Sequence, residues 1–134
     1  MSAAAAKGIA KRRPKYLNIF ELGLSQPVPA VLSILHRISG ALLFVALLWL
    51  LWMLDRSLAS EAGFDKIQHY AGLWPVKLSL LVVVWAYCHH FCAGIRFLFL
   101  DVHKGVDLDT ARLTSIIVIV AGLVLTVLFG ARLL

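Results

Sequence analysis

ALLFVALLWLLWML, residues 41–54, decides the fold. It holds no charged side chain, and extended upstream to Pro29 it exceeds the roughly 20 residues that a helix needs to cross about 30 Å of hydrocarbon. Two further apolar runs have comparable length, which places the expected spans at about 29–54, 76–100 and 113–133. At these lengths only a helix satisfies its own backbone in lipid. The expectation is therefore an all-α integral membrane protein with three transmembrane helices, preceded by an interfacial N-terminal segment.

Composition agrees. The 134 residues are 61% hydrophobic with a mean hydropathy of +0.89, too apolar for an ordinary small soluble domain. A net charge of +6 would suggest nucleic acid in a soluble protein, but Lys7, Lys11, Arg12, Arg13 and Lys15 crowd into the first fifteen positions. There they act as an orientation signal. No nucleic-acid partner is expected; membrane lipid is.

Residues 1–28 are expected to form a basic cytoplasmic tail and interfacial segment, and residues 29–134 a three-helix anchor. No cleaved secretory signal is expected, because the basic stretch leads into an amphipathic segment and then a full-length span. A mitochondrial address is the alternative reading of the basic, Ala-rich leader. The loop after the first span carries Asp55, Glu61 and Asp65 against Arg56 and Lys66, so the wholly basic tail lies inside. Trp49, Trp52 and Trp74 fall near the outer ends of the first two spans, where indoles favour the headgroup level. Pro27 and Pro29 suit the first turn of a helix, where a missing N–H has no partner to lose.

The polar residues inside these runs need an explanation. In SILHRISG, residues 33–40, Ser33, His36, Arg37 and Gly40 fall on one helical stripe. An arginine at this depth costs at least a few kcal/mol unless it snorkels or pairs, so it marks a functional site by default. The second span ends in WAYCHHFCAGIRFLFLD, residues 85–101. His90 lies about 16 Å along the axis from Asp101, near mid-membrane, where an imidazole needs a partner and a haem iron is a good one. Gly94, one turn on, would leave room for a flat macrocycle or a close helix. His89 points about 100° away and is expected to hydrogen-bond within the bundle. Cys88 and Cys92 share a face, cannot easily bridge, and are expected to be packing residues. Arg96 and Asp101 close the helix at the leaflet of Ser33, His36 and Arg37. Arg96 is read in part as a helix terminus meeting water. Polar groups from two helices thus converge at one depth, which suits an amphiphilic ligand such as a quinone or a haem with its propionates.

These motifs carry a resemblance. RPKYLNIFELGLSQPVPAVLSILHRISG together with HHFCAGIRFLFLD resembles the cytochrome b subunits of succinate dehydrogenase, the larger membrane anchor of complex II, over nearly the whole chain. The shared marks are S-x-x-H-R-x-[ST]-G at the start of the first span and H-x-x-x-G-I-R-x-L-x-x-D at the end of the second. The resemblance implies that His90 is an axial ligand of haem b, with the second axial histidine from a smaller anchor subunit, and that His36 and Arg37 lie near the propionates. It implies that Ser33 and Arg37 line a ubiquinone site against the iron–sulfur subunit, and that Asp101 serves the proton path. It implies a flavoprotein subunit beyond, and a bacterial inner membrane with the N-terminus in the cytoplasm. The chain departs from the pattern at Phe97, where many members carry a histidine, and this puts one propionate or proton-relay contact in doubt.

The chemistry suits those residue types. A quinone that accepts an electron gains negative charge on its carbonyl oxygen, and in a low-dielectric pocket a hydroxyl donor beside a fixed cation stabilises it strongly. Ser33 supplies the donor and Arg37 the cation. The chain carries no flavin or nucleotide fingerprint and no cysteine cluster for iron–sulfur ligation, so succinate oxidation is expected on other subunits. Two alternatives remain open from residues alone: a haemless anchor, and a non-redox small membrane protein whose basic tail binds anionic lipid.

Overall fold

A computed structural model of the chain describes residues 26–133. The expectations for the basic tail and most of the interfacial segment, residues 1–25, lie outside the described residues. Four helices follow in order: α1 (Val28–Leu58), α2 (Glu61–Gly72), α3 (Trp74–Asp101) and α4 (Leu108–Gly130). No strand occurs among the described residues. Helices α1, α3 and α4 are each long and apolar enough to span a bilayer, so the all-α architecture with three spans holds.

Local chemistry sets the helix ends. Pro27 is extended and Pro29 sits in the first turn of α1, where the N–H groups of Ala30 and Val31 donate to the Pro27 carbonyl at 2.8 and 3.2 Å. At 31 residues α1 runs roughly 46 Å, longer than the hydrocarbon core, and its last turns carry Asp55 and Arg56 out of the apolar stretch. The helix that carries the third apolar run begins ahead of that run, at Leu108, because the Asp107 side chain caps it, accepting from the Thr110 N–H at 2.9 Å, so that Asp109, Thr110 and Arg112 fall in its first turns.

The segment between the first two spans is not simply a loop. Ser60 accepts from the Gly63 N–H at 3.1 Å and starts α2, a short helix whose Ile67 and Tyr70 face Trp49, Trp52, Met53 and Val76 around a cavity of about 210 Å³. Trp52 and Trp74 are exposed at this end of the bundle, as amphipathic indoles at a headgroup level would be.

Helix α3 lies between α1 and α4 and packs along both. The small core joins one residue from each span, Leu32, Ala93 and Val118, with Cys92, Phe97 and Ile119 against it. The α3–α4 seam is built from small side chains. Ser115, Val118, Gly122, Thr126 and Gly130 are buried at steps of three or four along α4, the small-residue stripe that lets helices approach in lipid, where no hydrophobic force distinguishes protein from solvent. A Cβ on Gly122 would lie 3.2 Å from the His89 Cα, so the two backbones come close there. Outward-facing Phe44, Val45, Val127 and Leu128 are exposed, as lipid-facing side chains must be.

Candidate functional site

The structure brings His36 and His90 together. Their rings stack with centroids 4.1 Å apart and planes 9° from parallel. His90 Nδ1 lies 3.0 Å from the His36 carbonyl oxygen. A carbonyl only accepts, so Nδ1 carries the proton and the Nε2 lone pair is left available, the form of imidazole that ligates a metal. Metal-bound histidines are usually oriented by such a bond from the other ring nitrogen.

Two further residues hold the ring. Ser39 is fully buried; its hydroxyl donates to the same His36 carbonyl at 2.9 Å and sits 3.3 Å from His90 Nδ1. Gly40 clears the space: a Cβ there would stand 2.9 Å from His90 Cε1 and 3.3 Å from Nδ1. At Gly94, by contrast, a Cβ would meet only His36 Nε2, at an ordinary 3.8 Å. No close protein contact therefore demands a glycine at 94; that demand falls on Gly40. Ser39 was not singled out by residue type, though it occupies the [ST] place of the first motif and lies three residues after His36, on the same face.

The other histidine behaves differently from expectation. His89 is buried against α4 and stacks on Trp85 with centroids 5.6 Å apart, but its Nε2 has no hydrogen-bond partner among the described residues. His36 Nε2 is likewise buried without a partner, and Phe97 packs on the His36 ring at 4.9 Å, where a histidine could have offered a nitrogen.

Arg96 is also not a terminus meeting water. It is only 7% exposed, donates from Nε to the Thr114 hydroxyl at 3.0 Å and from Nη2 to the Ala111 carbonyl at 3.2 Å, and so ties α3 to the first turns of α4. The Thr114 hydroxyl in turn donates a hydrogen bond to the Thr110 carbonyl at 2.8 Å. The cysteines are free thiols on the inner side of α3, Cys88 buried and Cys92 half-buried.

Ser33 is half-buried on α1, Arg37 is exposed one residue beyond His36, and Asp101 is exposed at the last turn of α3. No hydrogen bond or ion pair joins these three to one another among the described residues. Within this chain the histidine pair is thus assembled, whereas Ser33, Arg37 and Asp101 are not joined to it by any hydrogen bond or ion pair found among the described residues. No cluster of three or more metal-ligating side chains exists among the described residues, and a single imidazole with a free Nε2 is the donor set found at the pair. That suits haem, whose porphyrin supplies the equatorial nitrogens and whose iron takes axial ligands from protein.

Residues 10–129 match the family described as Succinate dehydrogenase/Fumarate reductase transmembrane subunit. The Succinate dehydrogenase cytochrome b556 subunit of Rickettsia felis is 34% identical over 122 residues, covering 90% of this chain and 92% of that protein. The subunits of the same name from Coxiella burnetii and Paracoccus denitrificans are 31% and 29% identical, over 89% and 84% of this chain and 94% and 84% of theirs.

Proposed function

The chain belongs to the family of succinate dehydrogenase and fumarate reductase transmembrane subunits, and on that premise we propose that it is the haem-binding anchor of a succinate dehydrogenase and forms part of its ubiquinone-reducing site. Its partners are a flavoprotein subunit, an iron–sulfur subunit and a smaller anchor subunit. The assembly sits in a bacterial inner membrane, with the N-terminus of this chain in the cytoplasm.

The observation that carries the reading is the bond from His90 Nδ1–H to the His36 carbonyl, because it fixes the tautomer and leaves Nε2 for iron. His90 would hold haem b together with a histidine of the smaller anchor, and the haem would supply a one-electron centre when bound. Ser39 and Gly40 fix the ring's position, the first through its hydroxyl and the second by absence of a side chain. His36 Nε2, buried and unpartnered, and the Arg37 guanidinium are the groups of this chain suited to the haem propionates.

At the quinone, the Ser33 hydroxyl donates to the carbonyl oxygen that gains negative charge, and Arg37 supplies a fixed positive charge beside it. Asp101, exposed at the end of α3, can take a proton from water and hand it on. None of these groups carries electrons; they bind, orient and protonate.

The test is spectroscopic. The assembly purified through this chain should show a b-type reduced-minus-oxidised spectrum that disappears in His90→Ala. A wild-type assembly without the signal, or a variant that keeps it, overturns the ligand assignment. Ser33→Ala should lose most quinone-reductase turnover, about tenfold to a hundredfold, while the subunits still co-purify. Unchanged turnover would remove Ser33 from the quinone site.

A further inference from the structure

A second binding feature lies away from the histidine pair, on the seam between α3 and α4. A groove of about 340 Å³ opens beside the turn that joins these helices, with Ile95, Phe99, Ile117 and Val118 along its walls and two cations, Arg96 and Lys104, as its charged residues. Among the described residues no carboxylate lines it.

Arg96 is buried without a counter-ion among the described residues. The ion pair found among the described residues is Arg56 with Asp55, far from it. Of the five guanidinium N–H groups, one from Nε and one from Nη2 reach Thr114 and Ala111; those acceptors are neutral. A buried cation satisfied only by dipoles is costly to keep, and an anion brought to it recovers much of that cost.

Lys104 is set at the groove by backbone geometry. The Lys104 N–H donates to the Phe99 carbonyl at 3.0 Å and the His103 N–H to the Leu100 carbonyl at 2.9 Å, with His103 in the left-handed region at φ 59°. This pair of bonds is the Schellman closure of a helix. It folds Lys104 back over the last turn of α3 instead of letting it extend into the loop, although a non-glycine residue is disfavoured at the left-handed position.

An apolar channel between two membrane-spanning helices, with two uncompensated positive charges at its loop end, has the polarity of one molecule common in its surroundings. We infer that this groove binds one anionic phospholipid, its phosphate held by Lys104 and Arg96 and an acyl chain lying along Ile95, Phe99, Ile117 and Val118. A free phosphate would leave the apolar walls unfilled; a zwitterionic lipid would bring its own cation to a cationic mouth. Basic pockets between transmembrane helices recognise anionic headgroups on this principle.

The test uses the whole assembly, purified from native membranes, delipidated in mild detergent and titrated with phosphatidylglycerol or phosphatidylcholine of identical chains under native mass spectrometry. The wild type should take up one phosphatidylglycerol in preference to phosphatidylcholine. Lys104→Gln should weaken that uptake about fivefold, the equivalent of about 1 kcal/mol, and leave phosphatidylcholine unaffected. Ile117→Trp, which fills the groove, should abolish the adduct in an assembly that still carries all its subunits. Equal uptake of the two lipids, or an unchanged phosphatidylglycerol titration in Lys104→Gln, overturns the inference. So does displacement by inorganic phosphate alone, or a photo-crosslink from position 117 that captures another subunit in place of lipid. None of these readouts depends on haem or quinone.

Discussion

Gly40→Ala tests the histidine site through a single methyl group. A Cβ at that position would stand 2.9 Å from His90 Cε1, closer than carbon atoms pack, so the ring or helix α1 must move. The ring cannot simply swing aside, because its Nδ1–H is bonded to the His36 carbonyl and its face is stacked on His36. Overpacking of this kind costs about 1–3 kcal/mol, and losing the Nδ1 bond adds about 1 kcal/mol. Against this, replacing a mid-helix glycine by alanine returns about 1 kcal/mol of helix propensity. The net expectation is a loss of about 1–3 kcal/mol, together with a displaced His90. Gly72→Ala is the control, since a Cβ there meets nothing within 4 Å. Thermal melting of the purified assembly and its reduced-minus-oxidised spectrum should both separate the two variants: Gly40→Ala melts lower and has a weakened or shifted b-type band, while Gly72→Ala matches wild type. If Gly40→Ala behaves like Gly72→Ala in both assays, the ring is not held where the structure places it, and the argument for its tautomer fails with it.

Two further outcomes follow from the α3–α4 seam. Thr114→Val keeps the shape of the side chain but removes the acceptor for Arg96 Nε, which leaves a buried charged donor unpaired; a loss of about 1.5–3 kcal/mol is expected, seen as a lower melting temperature that Thr114→Ser largely restores. Asp107 caps α4, and the bonds it accepts from Thr110, side chain first and then backbone, hold its carboxyl below the usual aspartate range. A depressed folded pKa means that the stabilisation is complete above the unfolded value near about 4 and is lost as pH falls through the folded value. Asp107→Asn, which retains a cap without a titrating group, should flatten that acid limb of the melting profile; an unaltered limb would assign it to other carboxylates.

Much of this molecule was legible in one dimension. Three spans, their order and their helical nature follow from run length and from the backbone's need for internal hydrogen bonds in lipid, and no neighbour is required to deduce them. The stacking of His36 on His90 was not, since the residues alone set His36 at the leaflet of Asp101 and His90 about 16 Å from that residue, near mid-membrane. Helix ends were harder, because α4 starts at a capping bond from Asp107 and not at the edge of its hydropathy, and α2 depends on a Ser60 cap inside a stretch of mixed character.

What only packing could decide concerns direction. Hydropathy places Gly40 and Gly94 equally well near a cofactor, but only the crossing of α1 over α3 shows that His90 presses on Gly40 and leaves 94 roomy. Likewise Arg96, five residues from a helix end, could have reached water; it turns inward because α4 offers Thr114 and Ala111 at hydrogen-bonding distance. A sequence states which groups are polar and how deep they lie. Which way each one faces, and whether its hydrogen bonds are met, depends on the neighbouring helix, because in a uniformly apolar solvent burial alone does not distinguish one side of a helix from another.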